Sequence, residues 1–245
     1  MMEGFTWVLF ILLPLVAFLY AAVGHGGASS YLMFLTIFNF APAEIRPTAL
    51  ILNIIVSSMA FLAFRKTVKF PIKLFLYIII FSVPAAFVGG KILIDATLYK
   101  QILGILLFFP ILRFLNVFPK SKGKQIKENW ALLGALGLGI GFISGLIGIG
   151  GGIILSPILL LLGWTDMKET AAVSALFICL NSISGLLGSN FLNITYDPQL
   201  WILMPLTIVG GALGAYFGAN VFNFKAVKYT LTVVLFIAAI KLVLS

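Results

Sequence analysis

The residues in this chain best placed to do chemistry are two runs of glycine. Gly24-His25-Gly26-Gly27 closes one apolar stretch, and Gly148-Ile149-Gly150-Gly151-Gly152 closes another. Glycine has no β-carbon, tolerates positive φ and leaves its N–H exposed. A helix that restarts after such a run directs unpaired N–H groups and a partial positive charge back at the break. The chemistry on offer is anion binding by backbone alone. Neighbouring side chains could add to it. His25 could hold an anion when protonated or carry a coupled proton, since an unperturbed imidazole titrates near ~6.5; it could equally hydrogen-bond a freed carbonyl. Ser29 and Ser30 could donate to an anion or cap the restarting helix. Asn53, Ser57 and Ser58 are spaced by about one helical turn, as are Ser174, Asn181 and Ser182. Each set could line a polar path or hydrogen-bond between helices. The candidate substrate-binding set is therefore His25, Gly26, Gly27, Ser29, Ser30, Asn53 and Ser57 on one side, with Gly150, Gly151, Gly152, Ser174 and Asn181 on the other.

Other chemistries lack their residues. The single cysteine, Cys179, lies in an apolar run, so neither an intrachain disulfide nor a thiolate metal site can be built. One histidine argues against a histidine metal cluster. Gly148-Ile149-Gly150 lacks the Lys-Ser/Thr that follows in a phosphate-binding loop. Ser144 and His25 are the only tempting pair for an intramembrane serine protease, and neither sits in a nucleophile motif. No enzymatic activity, cofactor or metal is expected.

The elements that must position these residues follow from composition. The chain of 245 residues is 62% hydrophobic and 9% charged, against roughly half and a quarter in a soluble domain. Runs such as Phe75 to Ile80 are apolar on every face, unlike the alternation of a membrane barrel. The net charge of +9 sits in short loops between apolar runs. There it sets topology and meets anionic lipid, so a bilayer rather than nucleic acid is the expected partner. Met1-Met2-Glu3 lacks the positive start of a signal peptide, so the first helix is expected to be retained.

Apolar segments are predicted at 5–23, 28–40, 48–64, 72–94 and 98–117, and again at 131–147, 152–163, 171–188, 200–221 and 227–244. The offset from Gly24 to Gly148 also carries Thr48 to Ala172. Polar patches with Glu44 and Arg46, and with Asp166, Lys168 and Glu169, stand before the third segment of each half. Pro84 before Gly89-Gly90 echoes Pro205 before Gly210-Gly211. The chain thus reads as a duplicated unit: 1–118 as a first transmembrane repeat, 119–129 as a basic cytoplasmic linker, and 130–245 as a second repeat. Gly134, Gly137, Gly141, Gly145, Gly210, Gly214 and Gly218 recur at helical spacing and fit close helix packing.

Loop charge orients the whole. Arg65, Lys66, Lys69 and Lys73 surround one loop, and the central linker is basic, whereas Asn190 to Asp197 has no Lys or Arg. The positive-inside rule holds if the short second segments cross the membrane and fails if they re-enter. Five crossings per half is odd, so the halves are inverted and both chain ends lie outside the cytoplasm. The expected fold is an all-α integral membrane protein, a polytopic helical bundle of about ten segments in two inverted repeats with glycine-broken short helices.

The repeated glycine break, the Pro157 soon after the second break, and the Ala/Ser-rich stretch from Ala171 to Gly188 resemble the TauE/SafE family, the sulfite-exporter-like permeases. The most specific piece is Gly148-Ile149-Gly150-Gly151-Gly152-Ile153-Ile154-Leu155-Ser156-Pro157. The first half departs from it, with His25 for a usual apolar residue, Ala28 for the third glycine, and no following proline. The resemblance spans nearly the whole chain and implies a permease for a small, sulfur-containing anion such as sulfite or a sulfonate. No ATP site is visible, so alternating access driven by the membrane potential or an ion gradient is expected. The alternatives are an anion channel and a non-transporting membrane assembly or sensor module. The expected partners are a small anionic substrate and lipid, with homo-oligomerisation left open. The expected location is the cell membrane of a bacterium, its inner membrane, with multiple passes.

Overall fold

The computed structural model describes residues 7–38, 40–95, 98–99, 101–102, 105, 129–189 and 191–221. Eight α-helices lie among them: α1 (Leu9–Ala21), α2 (Ala28–Ile37), α3 (Pro42–Phe64), α4 (Ile72–Lys91), α5 (Trp130–Ile147), α6 (Gly152–Leu161), α7 (Met167–Gly188) and α8 (Pro198–Asn220). One turn of 3-10 helix, Phe191–Asn193, precedes α8. No strand occurs among the described residues, and five helices are long and apolar enough to cross a membrane. The protein is an all-α membrane protein. The segments predicted at 98–117 and 227–244 lie outside the described residues, apart from a few positions in the first.

Two helices begin earlier than their apolar patterns indicate, each because its first residues suit a helix start. α7 starts at Met167 rather than near Ala171 because Asp166 caps it. The Asp166 carboxylate accepts from the Glu169 N–H at 2.8 Å, and Glu169 accepts from the Asp166 N–H at 2.9 Å. This reciprocal box satisfies donors that hydrocarbon could not. α3 starts at Pro42 rather than Thr48, with proline where a missing N–H costs nothing and Glu44 in the first turn. Both polar patches are therefore first turns of helices. Glu44 also accepts from the Asp197 N–H at 3.0 Å, which joins the start of α3 to the start of α8.

The helices pack in reciprocal pairs across the two halves. α4 runs parallel to α5, with the carbonyls of Ile78, Ser82 and Ala86 filling the places where β-carbons of Gly137, Gly141 and Gly145 would stand. α1 runs parallel to α8 in the same way, the carbonyls of Pro14, Phe18 and Ala22 lying against Gly210, Gly214 and Gly218. Between these pairs α3 and α7 cross antiparallel. Asn53 meets Ser182, Ser58 meets Cys179 at 3.1 Å, and Phe64 packs with Ala171 and Ala172. The small residues thus do what their spacing promised, letting backbones approach where lipid gives no hydrophobic drive.

These pairings fix the faces. Glu44 and Asp197 share one face, whereas Phe64 and Ala171 lie toward the other. The linking stretches 22–41 and 148–166 therefore each join helices that end and begin on opposite faces, so they cross. α2 and α6 have ten residues each, about 15 Å at 1.5 Å per residue. That is half of a ~30 Å hydrocarbon core. Their first residues, and the glycine breaks before them, consequently sit at mid-depth.

Two outcomes test this arrangement. Gly214→Leu would drive a side chain into the Phe18 carbonyl, and should cost well over the 1–3 kcal/mol typical of overpacking, read as lost membrane insertion or a lower melting temperature in detergent. In a Cys179→Ser background, single cysteines at Lys69 and Asn193 should react with an impermeant maleimide from opposite sides of sealed vesicles. Reaction from one side would overturn the inverted packing.

Candidate functional site

Each short helix starts from a left-handed residue. Gly27 before α2 has φ 94° and Gly151 before α6 has φ 75°, conformations that cost a β-carbon-bearing residue. Neither start has a side-chain cap of its own. The breaks instead converge on Asn53, in the middle of α3. Asn53 is fully buried. Its Oδ1 accepts from the Ala28 N–H at 3.2 Å, the first turn of α2. Its Nδ2 donates to Ser182 Oγ at 3.0 Å and to the Ile149 carbonyl at 3.5 Å, inside the second break. A β-carbon on Gly26 or on Gly150 would overlap this amide from either side. One carboxamide therefore separates and joins the two breaks.

His25 makes the second link between the halves. Its Nδ1 lies 3.0 Å from the Val23 carbonyl and its Nε2 3.0 Å from Ser156 Oγ on α6. Ser156 Oγ lies 2.7 Å from Ser174 Oγ on α7 and 2.7 Å from the Gly152 carbonyl, to which it can donate. A carbonyl only accepts, so Nδ1 carries hydrogen and Nε2 of the neutral ring is an acceptor. The single Ser156 hydrogen is then sought by both His25 and Gly152. A protonated ring brings its own Nε2–H and releases the hydroxyl to Gly152. Ser156 thus joins a residue of the opposite half to the start of α6.

The remaining predicted residues divide. Ser29 Oγ lies 2.8 Å from Tyr20 Oη, and Ser30 donates to the same oxygen at 3.3 Å. Tyr31 donates to the Gly26 carbonyl at 2.7 Å. Among the described residues, Ser57 reaches only the Ile54 carbonyl of its own helix, at 3.5 Å, and Asn181 Nδ2 only that of Phe177, at 2.8 Å. Gly151 is enclosed by Ile140, Phe177 and Ser144, and Gly152 by Ile178. The structure thus gathers His25, Gly26, Asn53, Gly150, Gly152 and Ser174 at the centre. Gly27, Ser29 and Ser30 lie on the α2 side and Gly151 on the α6 side. Ser57 and Asn181 bond within their own helices.

Sequence reasoning passed over Ser156, Tyr20 and Arg46 as site residues. Ser156 was visible in the glycine-proline stretch, but nothing along the chain pairs it with His25. Arg46 was placed in a polar patch before α3, and it lies inside that helix. Its guanidinium donates to the carbonyls of Gly90, Ile92 (3.1 Å) and Leu146 (3.2 Å), the terminal carbonyls of α4 and α5. A cation suits that end of a helix. Its stem passes so close to Gly148 that a β-carbon there would stand 2.8 Å from Arg46 Cγ. In the loop before α8, the Tyr196 phenol is pushed above its ordinary pKa, by burial first and by the Glu44 carboxylate second.

Comparison with known proteins agrees with this architecture. The family profile described as sulfite exporter TauE/SafE matches residues 9–242. The chain is 30% identical over 239 residues to probable membrane transporter protein y4hK of Sinorhizobium fredii (strain NBRC 101917 / NGR234), covering 93% of this chain and 94% of that protein. It is 30% identical over 105 residues to probable membrane transporter protein MamO of Paramagnetospirillum magneticum (strain ATCC 700264 / AMB-1), which is 40% of this chain and 16% of that one. No solved structure matches the chain.

The central role of Asn53 has a direct test. Asn53→Ala removes three hydrogen bonds and strands the buried Ala28 N–H, so it should cost about 2 kcal/mol or more. Ser57→Ala, which loses one long bond within its own helix, should cost far less. Thermal melts of both variants in one detergent make the comparison.

Proposed function

This chain belongs to the sulfite exporter TauE/SafE family; it is a membrane transporter, and we propose that it moves a small, sulfur-containing oxyanion such as sulfite or a short sulfonate by alternating access, without ATP. The observation that carries this reading is the meeting of the two glycine breaks at Asn53, at mid-depth. α2 and α6 begin there and run to opposite faces, so both present their amino ends to the centre. Each amino end is equivalent to roughly half a positive charge. Two of them facing a buried polar centre favour an anion over a cation, and backbone donors suit an oxyanion with acceptors on every side.

Movement is expected between the halves. One repeat is expected to rock against the other around a fixed centre, as in other transporters built from inverted repeats. The basic loop of Arg65, Lys66 and Lys69 is taken as cytoplasmic, in the inner membrane of a bacterial cell. A monovalent anion leaving such a cell gains about 2.3 kcal/mol per 100 mV, so export needs no coupled ion. The His25–Ser156 contact supports a role for His25 in linking protonation to binding.

The test is transport by purified protein in liposomes. Sulfite or methanesulfonate trapped inside should leave at a saturable rate that rises with an inside-negative potential. Flux that never saturates would favour a channel, and no flux of either anion would overturn the assignment. Methanesulfonate stays ionised across the imidazole range, so its affinity reports on the protein alone. It should bind more tightly as pH falls through that range in the wild type, and with a flat profile in His25→Gln. Identical slopes would remove His25 from the mechanism.

A further inference from the structure

The two breaks match in backbone but not in hydrogen bonding. The offset that carries Gly24 to Gly148 and Gly27 to Gly151 also carries Tyr20 to Ser144, and Ser29 and Ser30 to Ile153 and Ile154. In the first repeat the protein supplies partners for the side chains and for one amide, while the buried N–H groups of Gly26, Gly27 and Ser29 have no acceptor among the described residues. Tyr20 Oη serves Ser29 and Ser30, and Asn53 takes the Ala28 N–H.

In the second repeat the same place is vacated. Ser144 is fully buried, and its hydroxyl has no hydrogen-bond partner among the described residues. Its side chain faces the break: Ser144 Cβ lies 3.3 Å from where a β-carbon on Gly151 would stand. Isoleucines replace the serines that met the tyrosine. The N–H groups of residues 149–153 have no acceptor among the described residues, and all five residues are buried. Buried backbone donors are nearly always paired. Five consecutive amides and a hydroxyl free to donate surround the amino end of α6, an arrangement that a small oxyanion completes better than a cation does.

We propose that the oxyanion subsite belongs to the second repeat alone, with the amides of Ile149 to Ile153 and the Ser144 hydroxyl as its donors, while Tyr20 closes the matching place in the first repeat with a hydroxyl from the protein itself. The duplicated frame then holds one ion per chain, not two. This rests on the transport reading above and adds where the ion sits.

Calorimetric titration of the purified full chain with methanesulfonate tests it. The wild type should bind one ion per chain. Ser144→Ala should weaken binding about tenfold or more, the scale of a hydrogen bond to a charged group, whereas Tyr20→Phe should stay within about twofold. Hydrogen exchange of the wild type gives a readout that needs no variant: methanesulfonate should slow residues 149–153 and leave 26–30 unchanged. Two ions per chain, Ser144→Ala binding like wild type, or protection of both breaks would each overturn the single-site assignment and leave the transporter reading standing. A wild type that binds neither methanesulfonate nor sulfite would overturn both, and that result is read from the wild type alone.

Discussion

Everything at the centre of this protein depends on the hydrogen bonding of one carboxamide. In hydrocarbon, a helix that stops and restarts frees backbone groups that water cannot serve, and such a backbone survives only where protein or a cavity meets its needs. Asn53 meets them on both sides at once. Its oxygen serves the start of α2, and its nitrogen serves a carbonyl of the second break and Ser182 of α7. Asparagine suits the task because its donor and acceptor ends diverge from one planar group. The glycines at 26 and 150 are the other half of the same fit, since any larger residue would occupy the space of that amide.

The surrounding framework serves this centre by bringing backbones close without bulky contacts. Where α5 meets α4, and α8 meets α1, glycine faces carbonyl at every turn. Arg46 then ties off the carbonyl ends of α4 and α5 at one face. It places a cation where two helix dipoles end negatively and holds the close of α5 beside the second break. The His25–Ser156–Ser174 chain runs from the first break into the two helices that follow the second. Centre, seam and face are thus joined by polar groups that span the halves.

Much of this was legible in the chain. Periodic glycine announced close packing, and paired glycine runs announced the breaks. What stayed hidden shares one cause: it depends on contacts between residues far apart in sequence. Asn53 and Ser58 looked alike along α3, yet one bridges both breaks while the other bonds back to Ile54 and across to Cys179. Arg46 looked like loop charge because no local pattern says that two helix ends will meet beside it. The early starts of α3 and α7 were hidden differently. Apolar periodicity weighs only the hydrophobic face, whereas capping by Asp166 and Glu169 is a polar signal in the same residues.

The reciprocal pairing of helices has a consequence for how the chain is made. The first helix of each half packs on the last described helix of the other, so among the described residues these close glycine seams run between the halves rather than within them. While the ribosome is still supplying the second half, α1 waits in the bilayer for α8, and α4 for α5. The first half cannot mature alone and then receive the second as a finished unit. The contact of α1 with α8 can form only once α8 has been made.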